Sequence, residues 1–121
     1  MFDVAIIGAG VIGCATAYKL SKYDLKVCVV EKENDVAMGA TRANSAIIHA
    51  GYVPEPVSLM ARLNVDGCEQ AKVLCEKLSV PYKNIGSMVL AFSEEEVKTV
   101  KELYERGVKN GVPGIEIIDA E

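Results

Sequence analysis

The chain has 121 residues, 50% of them apolar, and a formal net charge of −4 at pH 7. That length and apolar content suit one packed core. The acidic balance, with lysines and arginines scattered, leaves no basic patch to neutralise a nucleic acid backbone, so nucleic acid is excluded as a partner.

In chain order, the apolar run Val4-Ala5-Ile6-Ile7 reads as a strand and leads directly into Gly8-Ala9-Gly10-Val11-Ile12-Gly13. A helical pattern follows to Lys22, with Gly13 and Ala17 placed to lie against the sheet. Lys26 to Val30 is a near-continuous apolar strand of the kind buried on both faces in parallel sheets, closed by Glu31. Residues 33–57 lack a helical period and are punctuated by Gly39, Asn44, Gly51, Pro54 and Pro56, which predicts a long ordered loop carrying Thr41, Arg42, Ser45 and His49. After Pro56, the apolar positions Met60, Leu63, Ala71, Leu74, Cys75 and Leu78 recur at helical spacing until Ser79, ahead of Pro81. Ser87 to Phe92 reads as a strand covered on both faces. Ser93 and Glu96 form a capping box for a helix with the inward stripe Val97, Val100, Tyr104 and Val108, ended by Asn110-Gly111 and Pro113. Ile115 to Glu121 reads as a last strand that stops abruptly, which suggests a fragment of a longer enzyme.

No apolar run reaches membrane-spanning length. The first run is not a secretion signal, because Asp3 precedes it, no basic segment leads it and glycines interrupt it. Cysteines 14, 28, 68 and 75 contain no Cys-x-x-Cys pair and read as buried thiols of a reducing cytosol. One histidine and dispersed acids give no metal-ligand spacing, so no metal site is expected.

The strand, the glycine turn, the helix and Glu31 together point to an adenine dinucleotide. Gly8 permits a tight turn, Gly10 lets backbone approach a phosphate and Gly13 allows close helix-to-strand contact. The helix start directs unpaired amides and the positive end of its dipole at the diphosphate. Glu31, eighteen positions after Gly13, offers two oxygens to both ribose hydroxyls and disfavours a ribose 2′-phosphate. Other readings stay open at this point. A glycine-rich turn also serves packing alone, and Glu31 could be a solvated strand end. His49 could be a hydrogen-bonded packing residue, and Thr41, Arg42 and Ser45 could be loop-forming polar residues.

Residues 3–13, Glu31-Lys32 and Gly39-Ala40-Thr41-Arg42-Ala43-Asn44-Ser45-Ala46-Ile47-Ile48-His49-Ala50-Gly51 resemble the amino-terminal part of FAD-dependent oxidoreductases of the D-amino acid oxidase superfamily. The likeness is nearest to its anaerobic bacterial glycerol-3-phosphate dehydrogenase branch. It runs through Gly86-Ser87-Met88-Val89-Leu90-Ala91-Phe92 and covers about the first quarter of such an enzyme. The resemblance implies an α/β fold: a Rossmann-like FAD-binding βαβ unit with an incomplete parallel sheet over residues 1–57, then the start of an α+β cap or substrate domain over 58–121.

It also implies roles. Gly8, Gly10, Val11, Ile12 and Gly13 would hold the FAD diphosphate, Glu31 the ribose, and Lys32 would lie near the adenosine. Thr41, Arg42 and Ser45 would follow the cofactor toward the flavin, with His49 to Gly51 along the isoalloxazine, FAD bound noncovalently and His49 the candidate near the reacting centre. The implied reaction is oxidation of sn-glycerol 3-phosphate to dihydroxyacetone phosphate, with electrons passed to a quinone or an iron-sulfur partner subunit. Oxidation of 2-hydroxyglutarate or an amino acid is the alternative, and a noncatalytic dinucleotide-binding fragment is a third reading. Cytoplasmic placement, or attachment at the periphery of the inner membrane face, is expected.

Overall fold

A parallel pair of strands cannot be joined by a tight hairpin; it needs a crossover that carries the chain back to the same end. The amino-terminal residues build one. In the computed structural model, which describes residues 1–119, β1 (Val4–Ile7), α1 (Val11–Leu20) and β2 (Val27–Val30) form this unit. The strands pair in parallel, from Val4 opposite Val27 to Ile7 opposite Val30. The ladder is extended at both ends, by the Asp3 amide donating to the Lys26 carbonyl at 2.9 Å and the Gly8 amide to the Val30 carbonyl at 2.7 Å. Asp3 also accepts from the Lys26 amide, at 2.8 Å.

The chain forms two compact units, Met1–Ile47 and a second that begins at Ile48. Residues 48–57, which the sequence groups with the first part, therefore belong to the second. Side chains near the carboxyl end of its last helix hold this segment by hydrogen bonds to the carbonyls of Gly51, Val53 and Pro54.

The second unit contains α2 (Leu59–Lys77) and α3 (Glu94–Asn110), which pack on each other. Ser58 caps α2, its hydroxyl accepting from the Ala61 amide at 3.1 Å. Ser93 caps α3 in the same way, accepting from the Glu96 amide at 3.3 Å. The Glu96 carboxylate reaches back to the Phe92 amide at 2.7 Å, one residue earlier than a standard capping box requires. Glu94, Glu95 and Glu96 occupy the positive end of α3 and Lys109 its negative end. Gly111 then adopts a left-handed conformation, φ 78°, and ends the helix. Replacing Ser93 by Ala should lower stability by about 1 kcal/mol, read as a lower denaturation midpoint.

Several expectations fail on burial and pairing. Ser87 to Phe92 is not a strand, and neither are residues 115–119; Ala120 and Glu121 lie outside the described residues. A strand is stabilised by the ladder beside it, and among the described residues only β1 and β2 pair. β2 is not covered on both faces, since Val29 and Val30, which point to opposite faces of the sheet, are both exposed. Val97 and Val108 of the α3 stripe are likewise exposed, as are Met60, Leu63 and Leu78 around α2. Nor are the thiols buried: Cys14 is exposed and Cys28, Cys68 and Cys75 are half-buried, all unpaired to one another. The apolar residues that are buried among those described are Ala9, Ala61 and Val112. No described helix is long and apolar enough to cross a membrane.

Candidate functional site

The β1–α1 turn is built by backbone geometry that side chains would obstruct. Gly8 has φ +95°, a region L side chains rarely adopt. At Gly13 an added Cβ would overlap the Gly8 carbonyl oxygen and lie 3.4 Å from Ile6 Cγ2. The first turn of α1 is thereby set against the end of β1. Cys14, whose amide donates to the Gly10 carbonyl at 2.9 Å, makes the first helical bond. The amides of Val11, Ile12 and Gly13 have no carbonyl within the helix to bond, the arrangement that favours an anion.

Glu31 sits on this turn. Its Oε2 accepts from the Ala9 amide at 2.6 Å, while Oε1 accepts from the Lys32 amide at 2.9 Å and the Glu33 amide at 3.1 Å. The Ala9 amide above all, then that of Glu33, holds the carboxyl below its ordinary value of 4.5; partial burial opposes this, and the Lys32 amide and charge reinforce it. Glu31 is therefore ionised at neutral pH. A carboxylate has about four acceptor positions, and three are occupied by backbone amides.

Thr41 completes the cluster. Gly10 precedes α1 without a side chain to cap it. The Thr41 hydroxyl supplies the cap from the following loop, accepting from the Val11 amide at 2.9 Å. Its Oγ1 would lie 3.1 Å from a Cβ on Gly10, so it packs directly over the turn. The Ala9 carbonyl accepts from the Ala37 amide at 3.0 Å, a second tie between loop and turn.

The structure thus brings together Gly8, Gly10, Val11, Ile12, Gly13, Glu31 and Thr41. The Lys32 ammonium is 3.5 Å from the Glu33 carboxylate and its side chain is 87% exposed. Arg42 is exposed, with Nη1 3.7 Å from Met38 Sδ, and Ser45 is exposed in the loop. His49 and Gly51 belong to the second unit. His49 is exposed rather than a packing residue, and Ile47 and Ile48 before it are exposed as well. Gly51 is buried.

Two residues went unnoticed in the sequence. Ala9, between the first two glycines, supplies the amide that fixes Glu31. Asn110 reads there as a helix terminator, yet its amide group binds carbonyls more than fifty residues earlier. No local pattern announces either partnership.

Known proteins resemble this chain over nearly its whole length. A family model described as "DAO: FAD dependent oxidoreductase" matches residues 3–121. The glycerol 3-phosphate dehydrogenase of Caloramator mitchellensis is 56% identical over 121 residues, covering 100% of this chain and 25% of that protein. The mitochondrial L-2-hydroxyglutarate dehydrogenase of Homo sapiens is 38% identical over 122 residues, covering 99% of this chain and 26% of that protein. The dithionite-reduced L-alpha-glycerophosphate oxidase from Mycoplasma pneumoniae, solved with FAD bound, matches with a TM-score of 0.81 and 39% identity, over 96% of this chain and 30% of that one. The chain spans between 25% and 30% of the length of these relatives. It belongs to the DAO family of FAD dependent oxidoreductases.

Proposed function

We propose that residues 8–13, Glu31 and Thr41 hold the ADP half of FAD in an enzyme that oxidises sn-glycerol 3-phosphate to dihydroxyacetone phosphate. The observation that carries this reading is the 2.6 Å bond from the Ala9 amide to Glu31, which fixes an ionised acceptor beside a helix start rich in donors. The Ile12 and Gly13 amides, which follow the Val11 amide capped by Thr41, neutralise the diphosphate without a lysine. The remaining acceptor position of Glu31 takes one ribose hydroxyl, fewer than the two its free oxygens suggest. Its charge repels a ribose 2′-phosphate.

When bound, FAD supplies the hydride acceptor for the secondary alcohol. Lys32 lies toward the adenosine, Arg42 and Ser45 lie along the path to the flavin, and His49 to Gly51 lie beside the isoalloxazine. The exposed His49 imidazole is the candidate base for the substrate hydroxyl proton. The 56% identity to a glycerol 3-phosphate dehydrogenase, against 38% to an L-2-hydroxyglutarate dehydrogenase, favours the phosphorylated substrate.

The test is the visible spectrum of the purified full-length protein under anaerobic conditions. Oxidised flavin absorption that bleaches on addition of glycerol 3-phosphate, and not of L-2-hydroxyglutarate, is expected. Bleaching by L-2-hydroxyglutarate alone overturns the substrate, and absence of flavin overturns the cofactor.

A further inference from the structure

Two polar side chains one turn apart on α3, Arg106 and Asn110, reach a loop that precedes them by more than fifty residues. Asn110 Nδ2 donates to the Gly51 carbonyl and to the Pro54 carbonyl, each at 2.8 Å. Arg106 Nη1 donates to the Val53 carbonyl at 2.8 Å, and its Nη2 pairs with the Glu55 carboxylate at 3.1 Å. Positions i and i+4 share a helix face, so both side chains clamp the same stretch of backbone. From the other side, buried Gly51 (φ +109°) lies against α2, where an added Cβ would come within 2.8 Å of Val65 Cγ2. The loop is thus held between two helices at the residue following His49-Ala50.

An asparagine suits this position for a specific reason. Two carbonyl oxygens converge on one atom, and a primary amide nitrogen carries two donors for them. Aspartate has nearly the same shape but would set an acceptor against both carbonyls. Asn110 Oδ1 is buried and has no hydrogen-bond partner among the described residues. The side chain is therefore retained at some desolvation cost, for the sake of its two donors.

We propose that Asn110 is a positioning residue: by pinning the Gly51 carbonyl it sets the course of the His49–Gly51 backbone beside the flavin. This rests on the reading above that 49–51 lies along the isoalloxazine. It concerns residues of this chain alone, so the clamp and its consequence are separately measurable.

The experiment compares Asn110→Asp and Asn110→Ala with the flavin-loaded full-length protein. Val112→Ala serves as control, since it removes apolar packing at the same helix end without touching the clamp. Hydrogen exchange of the Ser58 amide, which donates to the Glu55 carbonyl at the end of the clamped stretch, should accelerate at least about tenfold in the Asn110 variants and not in the control. The flavin absorption band should shift, and anaerobic reduction should slow by about ten- to a hundredfold, with the control within about twofold. Asn110→Ser, which keeps one short donor, replaces Asn110→Asp if that variant does not fold, and should show an intermediate shift. Unchanged exchange in the variants overturns the clamp, even if the protein carries no flavin. Faster exchange with an unchanged band and rate, or an equal band shift in Val112→Ala, overturns the positioning role.

Discussion

Replacing Gly13 by Ala is expected to abolish FAD retention. The added Cβ would overlap the Gly8 carbonyl oxygen and lie 3.0 Å from its carbon. Both obstacles are backbone atoms at the end of β1, which cannot rotate away as a side chain can. Relief requires α1 to move off the sheet, at about 1–3 kcal/mol for overpacking of this kind. The larger effect is on the cofactor. The Val11 amide would move away from its Thr41 cap and the Ile12 amide away from the Gly8 turn, and displaced donors lose the geometry on which anion binding depends. A loss of FAD affinity of at least about a hundredfold is expected, read as the flavin-to-protein absorbance ratio after purification and by FAD titration. Gly39→Ala is the matched control, because a Cβ there meets nothing within 4 Å. Normal flavin content in Gly13→Ala would mean that the helix is not seated as described.

Replacing Glu31 by Gln should weaken FAD by roughly ten- to a hundredfold, the worth of hydrogen bonds to a charged group. The amide it introduces keeps one acceptor oxygen, so its nitrogen presents a donor either to the Ala9 amide or to those of Lys32 and Glu33. Acidification of the unaltered protein should mimic part of this loss. The folded protein holds the Glu31 carboxyl below 4.5, so its contribution is present above that value and lost as pH falls through the lower, folded one. FAD affinity measured by fluorescence titration should therefore stay flat from neutral pH down to 4.5 and decline only as pH falls through the lower value of the folded carboxyl. The part of that decline due to Glu31 should be missing in Glu31→Gln. An identical acid profile in the variant would show that the decline belongs to other groups.

The glycine spacing, the Ser93 cap and the helices ahead of Pro81 and Pro113 were legible because each depends on residues within a few positions of one another. β1, α1, β2, α2 and α3 all appear where local pattern places them, within a residue or two at most ends. The apolar run 87–92 was read as a strand because alternation reports what a segment could bury, whereas pairing depends on a neighbour. The same reasoning misjudged the thiols and the α3 stripe. Apolar character says that burial is favourable, and only packed chain can supply it.

At the site the division is similar. Residue order alone sets the glycine turn, the helix start and the strand that ends in Glu31, since backbone freedom and residue order are local properties. Long-range folding is what places Glu31 on the Ala9 amide, Thr41 over the start of α1 and Asn110 on the Gly51 carbonyl. These bonds join residues 22, 30 and 59 positions apart. At such separations a hydrogen bond forms only where the whole fold brings donor and acceptor within reach and repays the entropy of closing the intervening chain.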